Sequence, residues 1–145
     1  MASGKSNTQA QELLDLVYLA SAWANVADNA ATSPLTNLYC ALSTGTLTAS
    51  STQTTTEAAY TSYARVAVAR SGSGWSRTNQ TMSNVAAISF PAATGGSETE
   101  THASVGTASS GAGTVLHWGA LTASLAVSTG ITPSCAIGAF AVTEA

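Results

Sequence analysis

Charge is what this chain has least of. Lys, Arg, Asp and Glu make up 8% of its 145 residues, against about a quarter in an average soluble domain, and Ala, Ser and Thr fill the difference. Lys and Glu normally keep sheet edges and flat faces from associating. A coat of hydroxyls and methyls solvates a surface without repelling a neighbour, so this surface is suited to being covered. The four basic residues, Lys5, Arg65, Arg70 and Arg77, form no run, and the net charge is −3. A groove tracking nucleic-acid phosphates is therefore not expected.

Cysteine and histidine are equally scarce. Cys40 and Cys135 show no CxxC or Cys/His spacing, and both stand in apolar, strand-like contexts. They read as free buried thiols, not metal ligands, and no cofactor is implied. No apolar run approaches the roughly 20 residues of a membrane span. The stretch from Leu13 to Ala24, after Lys5, ends in Ala22-Trp23-Ala24 like an export signal, but Glu12 and Asp15 argue against that reading.

Catalytic constellations are missing as well. His102 and His117 are the only imidazoles, neither has an acid placed beside it by sequence logic, and no Gly-x-Ser-x-Gly elbow is present. A glycosidase pair would have to come from Asp15, Asp28, Glu57, Glu98, Glu100 and Glu144, which scatter over a helix and loops. Glu98 and Glu100 alternate onto one face, but two hard oxygen donors fall short of a Ca²⁺ loop, and the pair reads as a solvated edge. The expectation is a protein that is not an enzyme.

What is present is one helix and many short strands. Residues 1–7 read as a polar arm, and Thr8 with Gln11 fits a capping box. Leu13, Leu16, Val17, Ala20, Ala24 and Ala27 recur at steps of three and four, predicting an amphipathic helix to about Ala27, some 30 Å long. Asn29 and Ser33-Pro34 end it. Leu38, Cys40 and Leu42 alternate with Tyr39 and Ala41, apolar on both faces, as in a central strand. Residues 43–62 are nearly all Thr, Ser, Ala and Gly and read as a long exposed excursion and a candidate contact region. Strands follow over Tyr63–Arg70, Trp75–Met82 as an edge strand, Ala86–Phe90, Glu100–Thr107, Thr114–Leu125 and Ser134–Thr143.

The resulting fold class is mainly β: an antiparallel β-sandwich or jelly-roll-like domain preceded by one N-terminal amphipathic α-helix. The division is 1–36 for the arm and helix and 37–145 for the β domain, one compact unit in all. Trp23, Trp75 and Trp118 are candidate anchors for an interface, or a stacking platform for sugars. Arg65 and Arg70 fall on opposite faces of a regular strand, and one or both are placed to pair with a neighbour's acid. The candidate interface residues are Leu13, Leu16, Val17, Trp23, Arg65, Trp75 and Trp118, with no catalytic, cofactor or metal residue.

The order of segments resembles a family of small tailed-phage virion proteins, described as tail-fibre-like or head-decoration proteins. The resemblance is carried by Leu38-Tyr39-Cys40-Ala41-Leu42-Ser43-Thr44, Tyr63-Ala64-Arg65, and Ser83-Asn84-Val85-Ala86-Ala87-Ile88-Ser89-Phe90-Pro91-Ala92-Ala93-Thr94-Gly95. Thr101-His102, Trp118-Gly119-Ala120-Leu121-Thr122 and Ile131-Thr132-Pro133 continue it, over most of residues 12–143. Ala103 departs from it, since an aromatic often follows Thr-His in that family. The resemblance implies a virion protein assembled in the bacterial host cytoplasm. The leading expectation is a capsid decoration or cement protein, a homo-oligomer and specifically a trimer, bridging copies of the major capsid protein. The alternative is a tail or tail-fibre component that binds a host receptor or glycan. Neither nucleic acid nor membrane is an expected partner.

Overall fold

A computed structural model describes residues 6–23 and 34–144 of the chain. The fold is mainly β and sandwich-like, with one short helix at the N-terminus. Helix α1 spans Asn7–Tyr18, and among the described residues nine strands follow: β1 Asn37–Ser43, β2 Val66–Ala69, β3 Trp75–Thr78, β4 Thr81–Asn84, β5 Ile88–Ser89, β6 Ser97–Gly106, β7 Val115–Ser128, β8 Ser134–Cys135 and β9 Ala141–Thr143. By contacts the chain divides into one unit of residues 1–36, 69–87 and 136–145, and a second of 37–68 and 88–135.

The first unit combines α1 with a three-stranded sheet, order β3-β4-β9, whose two pairings are antiparallel. The helix is capped by Ser6, whose hydroxyl accepts from the Gln9 amide at 3.1 Å, two residues before the expected Thr8 cap. It runs 12 residues, about 18 Å, and not to Ala27. The Leu19 and Ser21 amides both close on the Asp15 carbonyl, and Ala20 turns to φ 54, which ends the helical path. The residues expected to continue it, Ala24 and Ala27, lie outside the described residues, as does the arm apart from Ser6 and Asn7.

The buried face of α1 is Ala10, Leu14 and Tyr18, an i, i+4, i+8 row, while Leu13, Leu16 and Val17 are half-buried beside it. Tyr18 packs edge-to-face on Trp75 with ring centroids 4.7 Å apart, and Trp75 on Phe140 at 6.1 Å. The span Trp75–Met82 is a hairpin and not one edge strand. Asn79, at φ 54, makes the turn, and β4 is the central strand of its sheet. Asn84 is buried and ties three segments of this unit together. Its amide donates to the Ala86 and Ala136 carbonyls and its carbonyl accepts from the Phe140 amide, all at 2.8–2.9 Å.

The second unit holds a four-stranded sheet, order β2-β1-β6-β7, and a two-stranded β5-β8 ribbon. The β1–β6, β6–β7 and β5–β8 pairs are antiparallel. Strand β1 lies between two neighbours and buries Leu38, Cys40, Ala41, Leu42 and Ser43, as two-faced apolar alternation requires. Leu47, Ala58, Tyr60, Ile88, Phe90, Val105 and Val127 are also buried in this unit.

Residues 43–62 are not an exposed excursion. Leu47, Gln53, Ala58 and Tyr60 are buried, and isolated bridges pair Ser43 with Glu57, Thr52 with Thr114 and Thr61 with Gly95. Gln53 explains two glycines. A Cβ on Gly106 would stand 2.3 Å from the Gln53 Cδ, and one on Gly113 would stand 2.1 Å from its Oε1. That Oε1 accepts from the Ala108 amide at 2.8 Å.

Candidate functional site

Most of the charged residues among those described are engaged inside its units. Arg65 reaches Glu57 through Nε at 2.6 Å and Nη2 at 2.7 Å, a bidentate pair. Its remaining donors reach the carbonyls of Ala108 at 2.9 Å and Gly111 at 2.8 Å. With its side chain 1% exposed, Arg65 serves its own fold and is not offered to a neighbour. Arg70 plays a different part. Its guanidinium donates to the Leu16 and Val17 carbonyls, groups that helix geometry leaves without partners at a C-terminus. Arg77 pairs with Asp15 through Nε and Nη2.

The acids are engaged in the same way. Glu98 Oε1 accepts from the Ala59 and Tyr60 amides, both at 2.8 Å. Glu100, two residues on and expected on a solvated edge, is 0% exposed. No donor reaches either of its oxygens; the group against it is the Glu98 carboxyl, and two carboxylates share a hydrogen bond only when one holds a proton. Burial first, then Glu98, pushes the Glu100 pKa from 4.5 up to about 8. The same surroundings, burial first and then the two glutamates, push Tyr60 up to about 12, and its hydroxyl donates to the Pro91 carbonyl at 2.9 Å.

Thr101 Oγ1 lies 2.9 Å from His102 Nδ1, a hydrogen bond between neighbours. Among the described residues no group of three or more His, Cys, Asp or Glu is placed to hold a metal ion, and no helix is long and apolar enough to cross a membrane. Cys40 is buried and Cys135 half-buried, both as free thiols. Burial first, then Cys135, pushes the Cys40 thiol up to about 12, far from the range in which a thiolate reacts.

Several large apolar side chains lie exposed among the described residues. Of the expected anchors, Trp75 is 1% exposed and Trp23 half-buried, whereas Trp118 is 41% exposed. Trp75 is therefore unavailable to a sugar, and the expected platform of three tryptophans is not built. Sequence reasoning missed Ile137, 69% exposed, together with Leu35 and Ile131. Their signal is weak, since one isoleucine or leucine beside a turn reads equally as core. It also missed the character of β7. That 14-residue strand, expected as an ordinary sheet member, buries only Val127 and carries no Lys, Arg, Asp or Glu.

A chain built this way, mostly β and with most of its described charged groups paired within their own units, has the features of a structural component. The family comparison agrees. The model of the Podophage GP4 fiber I protein gp80 family matches residues 4–143. The chain belongs to that family. It is accordingly a phage structural protein, a component of the virion. No curated protein matches it.

Proposed function

We propose that this chain is a building block of a virion fibre, acting through protein–protein contacts and without catalysis. The observation that carries the reading is the match over residues 4–143 to a family described as a podophage fibre protein. The surface chemistry supports it. With Arg65, Arg70, Arg77, Asp15, Glu57, Glu98 and Glu100 engaged or buried within their units, most of the described charge is tied to the fold and not left free to resist association. The partners are other copies of the same chain and the virion proteins to which a fibre is joined. Repeated weak interfaces in such an assembly gain through effective concentration.

Capsid decoration, in which the chain would bridge copies of the major capsid protein, is the other placement for a virion protein of this kind. Quantitative mass spectrometry of purified particles separates the two. A fibre component is present at a few to tens of copies per virion, and particles lacking it adsorb poorly to host cells while keeping their heat resistance. Hundreds of copies, with heat resistance lost on deletion, would overturn the fibre reading in favour of shell decoration.

A further inference from the structure

We propose that residues 59–61 form a strap around the end of β1, latched by a proton that the Glu98 and Glu100 carboxyls share, and that loss of this proton lets the strap open. The inference concerns one unit of the chain and stands whichever virion assembly holds it.

The strap follows from the pairing. Ser43, the last residue of β1, pairs with His102 of β6 on one edge and with Glu57 on the other. Beside Glu57, the Ala58 amide donates to the Leu42 carbonyl and the Thr44 amide to the Thr56 carbonyl, both at 2.9 Å. Thr61 is bridged to Gly95, just ahead of β6. Residues 59–61 therefore pass from one edge of β1 to the other. The ends of this crossing are held without a titrating proton. Glu57 is fixed bidentately by Arg65 at one end, and at the other Ser62 Oγ lies 2.6 Å from Thr94 Oγ1.

The middle is held differently. The Ala59 and Tyr60 amides share one acceptor, Glu98 Oε1, at 2.8 Å each. On the same face of β6 stands Glu100, 0% exposed and with no donor on either oxygen. Two adjoining carboxyls in that setting are compatible only when one keeps a proton. The side chain of Tyr60 is buried, its hydroxyl tied to the Pro91 carbonyl at 2.9 Å. The titratable groups nearby give the pair no counter-charge. Arg65 is committed to Glu57, and the Tyr63 hydroxyl accepts from the Leu42 amide at 3.1 Å. His102 stands past a register shift in β6, with Nδ1 2.9 Å from Thr101 Oγ1, and β7 sets Leu125 and Val127 opposite Glu100 and Glu98.

With the strap closed, burial and then Glu98 hold the Glu100 pKa up to about 8; with it open and Glu100 in water, the ordinary 4.5 applies. Between those values the closed state binds more protons. Rising pH then favours opening by up to about tenfold per pH unit, and the effect levels off above about 8.

Amide exchange followed by NMR on the full chain, from pH 5 to pH 9, tests this, with each rate divided by its intrinsic rate at that pH. The Ala59 and Tyr60 amides are expected to lose protection steeply up to about pH 8 and to exchange about tenfold or more faster than the β1–β6 ladder amides at pH 9, independently of low urea, as local opening requires. Glu100→Gln, whose amide N–H donates to the Glu98 carboxylate at every pH, flattens the profile. Strap amides that exchange in step with the ladder amides at every pH overturn the proposal, as does protection that does not change with pH; both are read on the wild type and do not depend on a variant folding. An unchanged pH profile in folded Glu100→Gln overturns it as well.

Discussion

Glu100 and Arg65 show what burial does to single residues when a chain has few charges. Glu100 keeps a proton in the folded state that the unfolded chain releases near its ordinary pKa of 4.5, because burial and Glu98 hold it up to about 8. Between those values the native state binds more protons than the unfolded state, so stability falls as pH rises from about 4.5 to about 8 and levels off above. Glu100→Gln removes that slope. Thermal melts from pH 5 to pH 9 are expected to show the variant more stable than wild type at pH 9 by several degrees, since 1 kcal/mol moves a domain of this size by about 2–4 °C. Parallel curves for the two proteins would contradict the shared-proton reading. Arg65→Ala acts at every neutral pH. It leaves the Glu57 carboxylate and two carbonyls without their donor, a loss of about 3–5 kcal/mol. Arg65→Lys does not restore it, because an ammonium lacks the fork that meets Glu57 bidentately; urea unfolding of the two variants measures both.

Among the elements, the strands were legible where alternation is strict and obscured where burial is sparse. Leu38, Cys40 and Leu42 announce β1 because both faces of a central strand are apolar. The segment 43–62 hides its role because Leu47, Gln53, Ala58 and Tyr60 follow one another at uneven steps of six, five and two residues in irregular backbone, with no period to detect. Helix α1 was legible as a helix, but its face was not. Leu13, Leu14, Leu16, Val17 and Tyr18 are all apolar, so two rows at helical spacing compete and packing chooses Ala10-Leu14-Tyr18. Its true end depends on Arg70, 52 residues beyond Tyr18 in the sequence, which no local pattern reveals. The hairpin at Asn79 was missed because its turn lacks glycine. Gln53 yields a prediction of its own. Gly106→Ala places a methyl 2.5 Å from the Thr114 carbonyl oxygen as well as against Gln53, and backbone cannot yield cheaply. A loss of about 1–3 kcal/mol is expected, whereas Gly72→Ala, with nothing within 4 Å, is neutral or slightly stabilising. Equal melting temperatures for the two alanine variants would contradict this role for Gln53.

For the whole molecule, a low charge content means something different once the charges are located. A chain with 8% charged residues still leaves open whether they are outside, keeping it apart from its neighbours, or inside, holding the fold together. Arg65, Arg70 and Arg77 each bind partners within one unit, and Glu98 and Glu100 face buried backbone and each other. Among the described residues the exterior includes large apolar groups such as Trp118 and Ile137. That surface fits a component whose neighbours are always present, as family membership implies. The virion role was legible in the order of motifs. The choice between shell and fibre was not, because both call for the same neutral, strand-rich surface. A cryo-electron microscopy map of the intact virion, with density assigned to this chain, tests the central claim most directly. Density in fibres built from repeated copies is the expected result, and density spread over the capsid lattice, or none on the particle, would contradict it.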